Sequence, residues 1–257
     1  MIKFIKKYIV KHYFIYDYPC KEDYKSIRTL YDFEKLMIEY DELNIKYREI
    51  SNFSKLASRL DIDTWIIHFN NRIIHVRRSF EYLMFYYNKG IPDSEWRASP
   101  GNKGQTIEYF PNFTKDDFIN KAHFDFFSDF FFYKIFSAFD TLGQILNELF
   151  DLEIKICDFN KSIQKLKSID KVLYSSLNNI YENEDFKTAK KIRNNIAHNY
   201  LPNNIDSGIN RVSKNEFQSG TRSYVTSKEI KDSIFIILEL LHETIPIIKG
   251  AINKYSV

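Results

Sequence analysis

The chain has 257 residues, 44% hydrophobic and 28% charged, enough for a substantial core and too apolar for disorder over most of its length. Its 37 Lys and Arg against 34 Asp and Glu leave a net charge of +3, too mild to select nucleic acid or anionic lipid unless the charge is locally concentrated. Seven Gly and six Pro leave little material for a Gly-rich phosphate loop or a many-turned β-sandwich, and Cys20 and Cys157 are too few for a disulfide framework or a cysteine zinc site.

Ile2 to Tyr18 reads as a strand pair or a helix. Its early lysines do not make a signal peptide, because Lys11 and His12 interrupt the apolar run and no small-residue cleavage site follows. Asp32 to Leu60 is expected to be helical. From Asp63 to Asn88, apolar residues from Ile62 through Trp65, Ile66, Phe69, Ile73, Val76, Phe80 and Leu83 to Tyr87 recur at steps of three and four, the period of an amphipathic helix. His68, Arg72, His75 and Arg78 form its opposite stripe and read as a solvated face. Gly90 to Phe118 holds three of the seven glycines and three of the six prolines and reads as a long ordered loop, pinned by Trp96, Tyr109 and Phe110 in preference to acting as a lid.

A second long helix is expected over Asp116 to Asp151, apolar on several sides and therefore central or at an oligomer interface. Asp125, Asp129 and Lys134 within its most apolar stretch are incompatible with a membrane span. One strip stays polar: Asp125, Asp129, Tyr133, Asp140, Gln144 and Asn147. No histidine joins these acids at a ligand spacing, so they are expected to partner an arginine or cap neighbouring helices, with no metal. Helices over 160–181 and 184–200 follow, then a polar segment with Pro202, Gly208 and Gly220. The last helix opens at Thr226 with Glu229 three residues on, a capping box, and carries Pro246, whose ring should kink it. No alternation of strand and helix suggests a parallel sheet, and the fold class is all-α.

Charge is concentrated in one place. Lys187, Lys190 and Lys191 lead into Arg193-Asn194-Asn195-Ile196-Ala197-His198, near the end of a helix that Pro202 cannot continue. On a helix Asn194 and His198 share a face and Arg193 flanks them about 100° round, so the three could converge on one phosphate-sized ligand, with the lysines as further contacts to phosphates. Asp140 is the acid expected to hold Arg193, since its helix should neighbour the motif helix. Taken alone, the motif also reads as a helix C-terminal arginine and histidine favoured by the macrodipole.

These residues resemble the HEPN superfamily, all-helical proteins whose signature is an arginine, a polar residue, and a histidine after four to six intervening residues. Here Arg193, Asn194 and His198 fill those places with four residues between, late in a basic helix and with another apolar helix after it. The resemblance covers about Ile119 to Tyr255. It implies a HEPN-like helical bundle at 119–257; residues 1–118, including the loop 90–118, lie outside the resemblance and are expected to be additional N-terminal helices packed on that bundle. It further implies a metal-independent endoribonuclease, or an inactive relative, with Arg193, Asn194 and His198 as catalytic residues and no cofactor. One histidine per chain is short of an acid and base pair. The family's solution is a homodimer in which two motifs face one cleft, and the Phe-rich helix 116–151 is a candidate surface for it. A toxin or defence role, with RNA or a nucleotide as ligand and an antitoxin or other protein as partner, follows from the resemblance alone, whereas the scarcity of cysteine points to the cytoplasm. Rival readings are a non-catalytic helical module that binds a nucleotide or protein partner in the same basic cleft, and a purely structural dimer.

Overall fold

A computed structural model describes residues 17–43, 53–101, 104–199, 201–204, 209–211, 213–219 and 224–255. The strand-or-helix expectation for Ile2 to Tyr18 lies outside these residues save for Asp17 and Tyr18. Among them run seven α-helices: α1 (Lys21–Arg28), α2 (Phe53–Asn88), α3 (Lys115–Leu149), α4 (Phe159–Leu166), α5 (Lys171–Tyr181), α6 (Glu184–His198) and α7 (Ser227–Tyr255). The fold is helical, as expected, with two small antiparallel hairpins: β1 (Trp96–Gly101) with β2 (Gly104–Tyr109), and β3 (Ile209–Arg211) with β4 (Phe217–Ser219).

Four departures from the sequence reading have local causes. Asp32 to Leu43 forms two 3-10 turns (Phe33–Leu36 and Tyr40–Glu42) in place of one helix. The side-chain amide of Asn70 takes both backbone groups of Ile38, donating to its carbonyl and accepting from its N–H at 3.0 Å each, so a tertiary contact replaces the helical ladder there. The helix expected over 160–181 breaks at 167–170, where the carboxylate of Asp170 accepts from the N–H groups of Val172 and Leu173, both at 3.0 Å, and starts α5 afresh. The expected loop 90–118 contains the first hairpin, in register Trp96↔Tyr109 to Gly101↔Gly104. The polar stretch after Pro202 contains the second. Gly90, at φ 97°, closes α2 in the left-handed conformation that glycine adopts without strain. The capping box of α7 forms as read: Thr226 N–H donates to Glu229 Oε2 at 2.8 Å and Glu229 N–H to Thr226 Oγ1 at 3.2 Å.

The chain forms two compact units interleaved along the sequence. One takes in Met1–Tyr31, Ser79–Phe130 and Asn195–Lys231; the other takes in Asp32–Arg78, Phe131–Asn194 and Asp232–Val257, and the boundaries after 78, 130, 194 and 231 fall inside α2, α3, α6 and α7.

In the first unit Tyr86 stacks on His123 and Tyr82 on Phe127, with centroids 4.5 and 4.7 Å apart, over buried Phe80, Leu83 and Phe124. A buried polar cluster lies beside them. Asp93 Oδ2 accepts from the Tyr224 hydroxyl (2.7 Å), Ser227 N–H (2.9 Å) and Ser227 Oγ (2.8 Å), and Lys121 donates to Asp125 (2.7 Å) and to the carbonyl of Asn203 (3.1 Å).

In the second unit the expected apolar stripes meet. Ile66, Phe69, Ile73 and Val76 of α2, Phe131, Ile135, Phe139 and Leu142 of α3, and Ile234, Leu238, Leu241, Ile245 and Ile248 of α7 are all buried. Most of the Phe-rich helix therefore serves its own core, and Phe118, Phe126, Phe130 and Tyr133 are the large apolar residues it leaves exposed. Gly143 lets α4 approach α3: a Cβ there would stand 2.9 Å from the carbonyl oxygen of Asp158, and Ser162 Oγ donates to the carbonyl of Gly143 at 2.9 Å. Among the described residues no helix is long and apolar enough to cross a membrane.

Candidate functional site

The close approach at Gly143 lays the start of α4 across α3 and frames a cavity of about 270 Å³ in the second unit. Phe136 and Phe139 of α3, Phe159 of α4 and Phe186 of α6 supply its apolar walls, and they pack on one another, Phe139 against Phe186 at 5.0 Å and against Phe159 at 5.3 Å. Its polar lining comes from Asp140, Asp158, Asn160, Tyr181, Lys190, Arg193 and Asn194. Helix periodicity explains the contribution of α6: Phe186, Ala189 and Ile192 are buried in the core, which leaves Lys190, Arg193 and Asn194 on the flank.

The cations are held in different ways. Lys190 donates to the Tyr181 hydroxyl at 2.6 Å and lies 4.6 Å from the centre of that ring. Arg193 donates from Nη1 to Asn194 Oδ1 at 3.0 Å and rests 5.8 Å from the centre of the Tyr133 ring, while its buried Nε has no acceptor. Asp140 accepts from the N–H of Phe159 at 3.2 Å. Burial raises the pKa of its carboxyl above the ordinary value and Asp158 adds to the rise, against the Phe159 hydrogen bond and the charges of Arg193 and Lys190. Asp140 thus acts on Arg193 through its field across a shared cavity, not through the direct ion pair expected of it.

Arg72, read as part of a solvated stripe, is half-buried: it donates to Thr141 Oγ1, and burial lowers its pKa while the charge of Asp140 opposes that shift. His68, His75 and Arg78 of the same stripe are exposed, as expected. Lys187 is exposed and paired with Glu182 (3.1 Å) and Glu184 (3.0 Å), and Lys191 is exposed, so of the three lysines only Lys190 lines the cavity. His198 is exposed as the last residue of α6, past the unit boundary after Asn194.

Tyr133, Asp158, Asn160 and Tyr181 were not singled out as site residues by sequence. Tyr133 carried a signal, since it lies on the polar strip of α3 seven residues before Asp140. Asp158, Asn160 and Tyr181 sit at ends of short helices, where periodicity carries no information.

Among the described residues no group of three or more His, Cys, Asp or Glu side chains is placed to hold a metal ion. In the first unit Asp129, one turn after Asp125, has its carboxyl pushed up to about 7, first by burial and then by the neighbouring Asp125, with Lys121 opposing. Asp125 is itself raised by burial against the pull of Lys121.

A helical bundle with an arginine, an asparagine and a histidine in this order at the end of a basic helix is a HEPN-type domain in architecture and motif. The family described as HEPN_Cthe2314-like HEPN matches residues 65–255, most of the chain, and the protein belongs to the HEPN superfamily. That match takes in α2 from Trp65 onwards, well before Ile119. No curated protein and no solved structure matches the chain.

Proposed function

We propose that the protein is a metal-independent endoribonuclease of HEPN type, acting in a toxin or defence role, with a composite active site across a homodimer. The observation that carries this reading is Arg193. Its guanidinium lines a cavity beside Lys190 and Asn194 with a buried, unused Nε donor, and its helix ends five residues later at His198.

Cleavage of RNA by its own 2′-hydroxyl needs a proton moved near neutral pH and charge stabilised on the phosphorane. His198, exposed at the helix end, is free to reach a strand, and an imidazole can both accept and donate a proton in the transfer. Arg193 would bind the phosphate oxygens with its planar fork, and Asn194, already bonded to it, would orient it. A second copy would supply the second histidine needed for an acid and a base.

The test is cleavage of mixed-sequence RNA in excess EDTA. The expected product ends in a 2′,3′-cyclic phosphate, and a 2′-deoxy substitution at the scissile position abolishes cleavage. His198→Ala costs on the order of 10² to 10⁴ in rate, while Arg193→Lys, which keeps charge but loses the fork, retains part of the activity. RNA binding without cleavage across substrates and pH overturns the nuclease and leaves a non-catalytic binding module.

A further inference from the structure

The cavity beside Arg193 is more elaborate than a phosphate site requires. A phosphate needs cations and N–H donors, yet this cavity has phenylalanine walls and a carboxylate, which repels anions. At about 270 Å³ it falls just below the roughly 300–1,000 Å³ of pockets for drug-sized ligands, the scale of a single flat ring system. Phenylalanine walls with a polar lining suit a small ring with apolar faces and a polar edge.

The polar groups define that edge. Asp140 uses one lone pair of Oδ1 on Phe159 N–H, and its other oxygen carries no hydrogen bond among the described residues. Asp158 is occupied at the start of α4, accepting from Lys161 N–H at 2.8 Å and pairing with Lys161 Nζ at 3.2 Å, so of the two carboxylates in the lining Asp140 is the one open to a ligand. On the donor side stands Lys190, which lines the cavity and spends one of its three protons on Tyr181. The complementary edge has two adjacent N–H donors for a carboxylate and, next to them, a carbonyl for a cation.

Of the four RNA bases only guanine presents this order: the exocyclic amino group, N1–H, then O6. Adenine and cytosine would turn a ring nitrogen lone pair towards the carboxylate, and uracil would offer one N–H between two carbonyls. We infer that the cavity formed by α3, α4 and α6 is a guanine pocket, in which Asp140 accepts from N1–H and the exocyclic amine and Lys190 donates to O6, while Arg193 stays with the phosphate. As a determinant of where RNA is cut, this rests on the ribonuclease reading; as a binding site it does not. The raised pKa of Asp140 agrees with a carboxyl that burial has stripped of water and that gains from ligand donors.

Titration calorimetry of the full chain with the four 5′-nucleoside monophosphates tests the pocket. GMP is expected to bind about tenfold or more tighter than AMP, CMP or UMP, the discrimination of one bidentate pair. Inosine monophosphate, which keeps O6 and N1–H but lacks the exocyclic amine, is expected to lose most of that advantage, with no change to the protein. Asp140→Asn retains an acceptor for Phe159 N–H, and matched thermal melts check its fold; it should erase the preference for GMP. Equal affinity for the four nucleotides, or for GMP and inosine monophosphate, overturns the inference, and so does a folded Asp140→Asn that still prefers GMP. Selective GMP binding without RNA cleavage would leave the pocket standing and remove the nuclease. Cleavage without base preference, together with no GMP selectivity, would do the reverse.

Discussion

Asp129 shows how far a single carboxyl can be moved by its surroundings. Part-buried and one turn from Asp125, it is pushed up to about 7, while an unfolded chain would return it to about 4. The native state therefore favours its protonated form. The stability this group contributes is complete below about pH 4 and is lost as pH rises through 7. Asp129→Asn should raise Tm more at pH 8 than at pH 5, and thermal melts at both values check it; an equal gain would mean that the carboxyl is not held protonated. The residue scale also marks how much of the site was legible. Arg193, Asn194 and His198 were readable from spacing on one helix, and Lys190 from the same basic run. Asp140 was readable through the strip it shares with Tyr133. Asp158 and Asn160 reach the cavity because α4 is pressed onto α3, a tertiary event with no signature in their own neighbourhood. Glu184 pairs with Lys187 three residues along the same helix, a spacing readable from sequence, whereas Glu182 becomes a partner only through the turn between α5 and α6.

Among the elements, α4 depends on one missing side chain. The backbone of Asp158 and Phe159 lies where a Cβ on Gly143 would be, at 2.9 to 3.0 Å, and that same backbone presents the Phe159 N–H to Asp140. Gly143→Ala must push α4 away from α3. Helix propensity would favour alanine by about 1 kcal/mol, but overpacking against backbone costs about 1 to 3 kcal/mol, so a net loss of stability and a widened cavity are expected. Chemical denaturation measures the first; nucleotide titration measures the second. Long stripes such as that of α2 were legible because their period repeats over many turns, and the capping box of α7 because it is local. The break between α4 and α5 and the 3-10 turns after Asp32 were not, since Asp170 and Asn70 override a pattern that would otherwise continue.

At the scale of the whole molecule, the proposed chemistry requires two copies. Phe126, Phe130 and Tyr133 are exposed on α3, at 60%, 42% and 42%. Phe126 and Phe130 lie together in the first unit, and we propose them as the apolar patch through which a second chain associates. Sedimentation at micromolar concentration should show a dimer, and Phe126→Asp with Phe130→Asp should shift it to monomer and lower RNA cleavage together. A wild-type monomer that cleaves would remove the composite site. The helical class was readable from composition and period alone, whereas association was not, because an apolar helix reads alike whether it is covered by its own chain or by another.

The contact of Asp93 with Tyr224 and Ser227 joins positions more than 130 residues apart, and it anchors the first turn of the last helix. Closing so long a loop costs chain entropy that is recovered only once both ends are already ordered. The start of α7 is therefore a late arrival on the folding route, secured after the barrier has been crossed. Weakening Asp93 would act on how quickly the native chain comes apart and leave the pace of its assembly almost untouched.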